Sequence, residues 1–320
     1  MWKFIVRRLI TMIPQIIILS LIVFILAKMM PGDALTGMVD PNIDPKTIEA
    51  KREALGLNDP WYVQYGNWVK GAVQGDLGQS FHYKMPVTEL LGQRIMNTVW
   101  LSLLTLLLTY LIAIPLGITS GRFHDSWADR LITSYTYVGF AMPLFIFALV
   151  MLWFFGFYLE WFPTGGSVEP GLKPGTFDYF MSKIYHMMLP ALSTALIATV
   201  STVQYLRSEI IDVKQKDFIQ TARAKGASES RVYNRHILRN SLLPIAAFFG
   251  YEITGLIGGS IFIENIFGYP GMGQLVLGSV LLRDYSVVTA CVLLIGIATV
   301  IGALLSDIIL SIVDPRIRIK

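Results

Sequence analysis

Cysteine is almost missing from this sequence: Cys291 is the only one in 320 residues. A lone cysteine excludes an intrachain disulfide and any multi-cysteine metal cluster. Charge is scarce as well, at 15% of the chain, where soluble domains carry about 25%. The four histidines, His82, His124, His186 and His236, lie in loops or at the edges of apolar runs. That placement disfavours an intramembrane hydrolase, which needs a nucleophile and base together inside the bilayer. No GxxxxGK[ST] stretch occurs, so the chain lacks that phosphate cradle and its lysine. A net charge of only +4 gives no global pull on nucleic acid.

Apolar residues are abundant instead. They make up 54% of the chain, and mean hydropathy is +0.56. These values exclude disorder, collagen-like repeats and an ordinary cytosolic enzyme. A bilayer core needs about 20 apolar residues per helix. Six stretches qualify, near Leu9–Met30, Thr98–Ser120, Leu131–Leu159, Met187–Leu206, Leu242–Ile263 and Val287–Val313. The sequence therefore predicts an all-α polytopic membrane protein with six transmembrane helices. The first run is too long for a signal peptide, and Met29-Met30-Pro31 follows it rather than a small-residue cleavage site, so it is expected to be retained. Pro14, Pro115, Pro143 and Pro190 fall within spans and predict kinks. Gly250, Gly255, Gly258 and Gly259 would let the fifth span approach a neighbour closely.

Orientation follows from Lys and Arg placement. With both termini inside, sixteen basic residues fall in inner segments and nine in outer ones, Lys28 standing at the outer end of the first span. The expected organisation is a first transmembrane helix over 1–30, an extracytoplasmic helical segment over 31–97, a transmembrane core over 98–313 with a cytoplasmic loop over 207–240, and a cytoplasmic tail over 314–320. In the outer segment, Asp44-Pro45 opens a helix that Gly56 ends, and Asp59-Pro60 opens another. Trp61, Tyr65, Trp68 and Ala72 share a face of that second helix, as core or as an interfacial anchor.

The longest inner segment, Arg207 to Asn240, holds eight basic residues against Glu209, Asp212, Asp217 and Glu229. Its +4 balance equals that of the whole chain. Asp217 can cap a helix from Phe218 to Lys225, Gly226 breaks it, and Ser228 can cap a second helix towards Leu238. Three readings arise: a loop lying on anionic lipid, a nucleic-acid patch, disfavoured because the loop is short and sits against a membrane, and a docking element that presents Phe218, Ala222, Val232, Ile237 and Leu238 to a soluble partner.

At this loop the sequence resembles the permease subunits of binding-protein-dependent ABC importers. Their cytoplasmic loop carries a Glu-Ala-Ala motif, then a glycine and a downstream leucine–proline. Here Gln220-Thr221-Ala222, Gly226 and Leu243-Pro244 stand at the matching places, with Gln220, Thr221 and Ser241 departing from the pattern, and Phe218 and Arg223 belong to the same loop. Similarity to the peptide/opine/nickel branch, and to its first (B-type) subunit, runs along nearly the whole chain. It includes Gly56-Leu57, Gln64-Tyr65, Gly75-Asp76-Leu77-Gly78, Ser80, Glu264, Phe267, Pro270-Gly271, Gly273, Arg283-Asp284-Tyr285 and Asp314-Pro315-Arg316.

The resemblance implies a non-catalytic half-pore for oligopeptides or dipeptides in the bacterial cytoplasmic membrane. It further implies a second homologous permease, two ATPase subunits that use ATP and Mg, and an extracytoplasmic substrate-binding protein, with no cofactor on this chain. A nickel or other small-solute importer is the alternative within the class. An ion-coupled secondary transporter is the alternative outside it.

Ionisable groups inside a span cost about 2.5–3.5 kcal/mol on insertion scales and need partners or water. Glu252, Glu264 and Asp307 are the candidates for the translocation pathway. Glu252 is open to two readings, a pore carboxylate or one bonded to another helix. Asp307 is expected to pair with a basic residue near the inner surface. The stretch Glu264 to Gly273 is too rich in Gly and Pro to continue the fifth span. Phe267, Pro270, Gly271 and Gly273 are therefore expected in an outer re-entrant or gate element.

Overall fold

The computed structural model describes residues 2–29, 45–54, 56–242, 245, 252 and 258–313. In chain order the helices are α1 (Trp2–Met29), α2 (Pro45–Ala54), α3 (Trp61–Val73), α4 (Val87–Arg122), α5 (Trp127–Ala141) and α6 (Leu144–Met151). There follow α7 (Phe177–Lys214), α8 (Asp217–Ala224), α9 (Glu229–Arg231), α10 (Ile261–Ile266), α11 (Met272–Leu281) and α12 (Tyr285–Val313). A π-helical stretch extends α6 over Leu152–Tyr158, and another extends α9 over Val232–Leu238 and passes into a last α-helical turn over Arg239–Ser241. Among the described residues no strand forms beyond an isolated bridge between Gln79 and Pro86.

Four helices, α1, α4, α7 and α12, are long and apolar enough to cross a membrane. The predicted third span is instead a bent pair, α5 and α6 with its π-helical end meeting at 106°. Pro143 causes the break. Its ring disfavours helical geometry at the preceding residue, and Met142 accordingly takes ψ 114°. Pro14, Pro115 and Pro190 stay inside continuous helices, so only one of the four expected kinks interrupts a helix.

The six predicted spans thus correspond, among the described residues, to four continuous helices and one broken pair. The predicted fifth span lies largely outside the described residues, Gly250 and Gly255 with it. Helix α4 starts at Val87 rather than Thr98, and α7 at Phe177 rather than Met187. Polar residues among the first turns, Thr88, Glu89, Gln93 and Arg94 in α4 and Asp178, Ser182 and Lys183 in α7, interrupt the apolar runs without ending the helices.

The centre of the bundle is the α4–α7 pair. A Cβ on Gly117 would stand 2.9 Å from Leu206, and one on Gly121 would stand 2.7 Å from Ile210, so both glycines permit close backbone approach. Gly296 of α12 does the same for Leu19 of α1. Helix α2 ends before Gly56 at φ +64°, as the sequence predicts. The expected aromatic face of α3 divides. Tyr65 and Trp68 pack on Phe24 of α1 with ring centroids 5.4 and 5.9 Å away, whereas Trp61 is exposed.

Candidate functional site

Basic residues gather at the end of the bundle where α7 passes into α8 and α9. Helix α8 closes at Gly226, whose φ of +76° is the left-handed conformation that glycine adopts without strain. Gly226 N donates to Arg223 O at 2.9 Å, and Ala227 N donates to Ala222 O at 3.2 Å. Arg223 then reaches across the glycine to Glu229, donating from Nε at 2.9 Å and from Nη2 at 3.2 Å. The expected helix–glycine–helix element is present, with different starts. Lys216, not Asp217, holds the N-cap position of α8, and Ser228 caps α9 without a side-chain bond.

The apolar residues of this element are divided between two tasks. Ile219, Val232, Tyr233 and Ile237 are buried with Leu206, Ile210 and Val213 of α7, and Ala222 and Leu238 are partly buried against them. Phe218 is 45% exposed, beside exposed Gln220, Thr221 and Arg223. Of the five apolar residues expected at a docking face, Phe218 alone projects, because Val232 and Ile237 fix the element to its own bundle. Ile219, fully buried, carried no sequence signal that separated it from its neighbour. Arg122 lies 4.6 Å from the Tyr233 ring centroid, a cation–π contact. Burial raises the Tyr233 phenol above its ordinary range, and the Arg122 charge opposes that rise. Lys214 Nζ donates to Gly121 O and Arg122 O, each at 2.7 Å, which satisfies the last carbonyls of α4.

About two turns before Lys214 on α7, Arg207 donates to Asp129 in a two-pronged ion pair, Nε to Oδ1 at 2.7 Å and Nη2 to Oδ2 at 2.9 Å. Ser120 Oγ and Asp125 N donate to the same carboxylate. Asp129 sits at the N-terminal turn of α5, where composition gave no hint that it would be 2% exposed.

At the opposite end, Glu264 lies in α10 and is fully buried. Thr98 Oγ1 donates to its Oε1 at 2.8 Å, and Gln274 N donates to its Oε2 at 3.0 Å. Glycines make the room. A Cβ on Gly271 would stand 2.4 Å from the Glu264 carboxyl carbon, and Gly259, at φ +64°, would put one 2.5 Å from Oε1. Gly259 also brings this turn close to α4, where an added Cβ would stand 3.0 Å from Thr98 Cγ2. A Cβ on Gly273 would fall 2.8 Å from Ile261 N.

Asn97 Nδ2 donates to Pro270 O at 3.0 Å, and Tyr269 Oη donates to Asn97 O at 3.1 Å. Phe267 is buried against Ala148, Leu152 and Leu189. The expected gate residues thus come together around α10 and α11. The helix covers Ile261–Ile266, so the polar stretch begins as helix and leaves it only at Phe267.

The three pathway candidates stand in different surroundings. Asp307 meets Arg8 Nε at 3.1 Å, the basic partner the sequence predicted. Glu252 is helical and half-buried, within electrostatic reach of Tyr110 on α4. Leu243 and Pro244 lie outside the described residues. A further contact joins distant sequence: Ser80 Oγ donates to Asp284 Oδ2, and His82 N donates to the same oxygen at 3.2 Å.

An apolar helical bundle, a glycine-broken element at its basic end and a glycine-cradled carboxylate at the other define a multi-pass integral membrane protein. Two structures titled as inward-facing conformations of the MetNI methionine ABC transporter share the fold, with TM-scores of 0.55 and 0.56. They are 14% and 15% identical in sequence, covering 70% of this chain and 96% of theirs.

Residues 113–319 match the family described as binding-protein-dependent transport system inner membrane component, and residues 1–103 match its described N-terminal region. The chain belongs to this family of inner-membrane permeases. It is 41% identical to the oligopeptide transport system permease protein AppB of Bacillus subtilis, over 99% of this chain and 100% of that one. The glutathione transport system permease protein GsiC of Escherichia coli K12 is 32% identical over the full length of both.

Proposed function

We propose that this chain is one of two permease subunits of an ATP-driven importer of peptides, from dipeptides to short oligopeptides. The observation that carries the reading is the end-to-end similarity to permeases named for an oligopeptide and for glutathione, itself a tripeptide derivative. The chain crosses the bacterial cytoplasmic membrane six times with both termini inside. The segment over 31–97 faces outwards, and the Arg207–Asn240 element faces the cytoplasm.

Two separate ATPase subunits close on ATP and Mg and press on the α8–α9 element. Phe218, Gln220, Thr221, Ala222, Arg223 and Gly226 form the contact, with Leu243-Pro244 beyond. Phe218 supplies the apolar knob, because its neighbours are committed to the bundle. An extracytoplasmic binding protein delivers the peptide, and the second permease completes the pathway. Around α10 and α11 the Glu264 carboxylate acts as the anchor of an outer gate, since it is bonded and fully buried. Glu252 is the remaining carboxylate available to meet a peptide amine. The chain itself catalyses no reaction and binds no cofactor.

Reconstitution tests this reading. Liposomes holding both permeases and both ATPases, with binding protein added outside, should accumulate tetra-alanine or glutathione only with ATP inside. Uptake by this chain alone without nucleotide would refute the importer reading. Accumulation of Ni²⁺ but of neither peptide would shift the substrate class.

A further inference from the structure

Helix α5 is attached to α7 along its whole length by polar and close apolar contacts. At its first turn Asp129 holds Arg207 through two hydrogen bonds, of 2.7 and 2.9 Å. Further along, Thr136 Oγ1 donates to Gln204 Oε1 at 3.4 Å, and Tyr135 Oη donates to Leu196 O. Near the end of α5, Gly139 lies so close to Val200 that an added Cβ would come within 2.4 Å of Val200 Cγ2.

Beyond Gly139 the chain breaks at Met142-Pro143, and α6 changes direction to pack on Leu189, nearer the start of α7, and on Ile263 and Phe267 of the α10 side. Helix α7 in turn carries the α8–α9 element through Leu206, Ile210 and Val213. Among these α5–α7 contacts Asp129–Arg207 is the charged and two-pronged one, and it lies nearest the α8–α9 element. It is also well shielded, with Asp129 2% exposed and its carboxylate further held by Ser120 Oγ and Asp125 N.

We infer that the Asp129–Arg207 pair is a positioning contact that makes α5 follow α7, so that a push on the α8–α9 element reaches the broken span and is turned at Pro143. The inference rests on the importer reading above. Two residues that touch neither ATP nor peptide thereby set how much transport each ATP yields. Long, packed helices with a single break move as bodies joined at that break, whereas a densely packed core does not deform gradually.

The test uses the complete complex in liposomes, with tetra-alanine as probe and uptake per ATP hydrolysed as readout. Asp129→Asn keeps the shape of the side chain and removes the charge. It should leave ATP hydrolysis near wild type and lower uptake per ATP by about tenfold, the order of an ordinary coupling between sites.

A covalent tie then separates coupling from mere stability. The Cβ positions of Gly139 and Val200 are 3.6 Å apart, within the range a disulfide spans. Gly139→Cys with Val200→Cys, in a Cys291→Ala background, should restore uptake to Asp129→Asn when oxidised and lose it again on reduction. Should Asp129→Asn not assemble, Arg207→Lys takes its place, since lysine keeps the charge but lacks the planar fork.

Wild-type uptake per ATP in the single variant overturns the inference. So does an oxidised tie that restores nothing. A wild-type complex without ATP-dependent peptide uptake counts instead against the importer reading, and is told apart because it needs no variant.

Discussion

Thr98 and Glu264 stand 166 positions apart in sequence, yet the Thr98 hydroxyl donates to the Glu264 carboxylate at 2.8 Å. The same hydroxyl accepts from Met272 N at 2.8 Å. One side chain on α4 thereby fixes both the end of α10 and the start of α11. Thr98 is itself fully buried, so both bonds are shielded from water. An unmade hydrogen bond there would cost more than an exposed one.

Thr98→Val keeps the volume and removes both bonds. It should destabilise the purified protein by about 1–3 kcal/mol, the cost of leaving buried polar groups unpaired. Thr98→Ser should recover most of the loss. Thermal unfolding in detergent measures both, and a Thr98→Val protein that melts with wild type would remove the clamp from the account.

Gly271→Ala would place a methyl 2.4 Å from the Glu264 carboxyl carbon. Overpacking of this kind costs about 1–3 kcal/mol. Gly66 on α3, whose added Cβ would meet nothing within 4 Å, is the matched control. Gly66→Ala should be neutral or stabilising by up to about 1 kcal/mol, from helix propensity. Equal melting of the two variants would contradict the crowding.

Phe218 and Ile219 are adjacent and should behave in opposite ways. Ile219→Ala opens a cavity in a fully buried position and should cost about 2–5 kcal/mol of stability. Phe218→Ala removes an exposed ring and should leave melting unchanged within about 0.5 kcal/mol. In the assembled complex, however, Phe218→Ala should weaken ATPase attachment or uptake. Co-purification of the ATPases decides; full retention together with full uptake would remove Phe218 from the docking surface.

Asp284 accepts from Ser80, from His82 N and, at 3.5 Å, from Val287 N, and is 2% exposed. Asp284→Ala should therefore loosen the 78–87 turn from the start of α12 without unfolding the bundle. Limited proteolysis reads this directly, as faster cleavage within that turn. An unchanged cleavage rate would show that the turn is held by its backbone alone.

Much of the fold was legible because a bilayer demands long apolar helices, and apolar runs are visible in any sequence. The stop at Gly56, the break at Gly226 and the partner for Asp307 were legible for similarly local reasons. Glycine is the residue that takes positive φ, and an intramembrane carboxylate needs a counter-charge. Pro143 shows the boundary of such reasoning. Four prolines looked alike in the sequence, yet among the described helices only Pro143 stands at a break, while Pro14, Pro115 and Pro190 stay inside continuous helices.

The sequence by itself determined that the chain is membrane-embedded and helical, that it carries a glycine-broken basic element and that it resembles permeases of ABC importers. Those properties are written in composition, period and local motifs. Only the tertiary structure decided that Glu264 is a cradled anchor, that Phe218 projects while Ile219 is buried, and that Asp129 joins Arg207 across 78 positions. Burial and pairing belong to contacts between distant segments, and a residue's type does not state which helix will meet it.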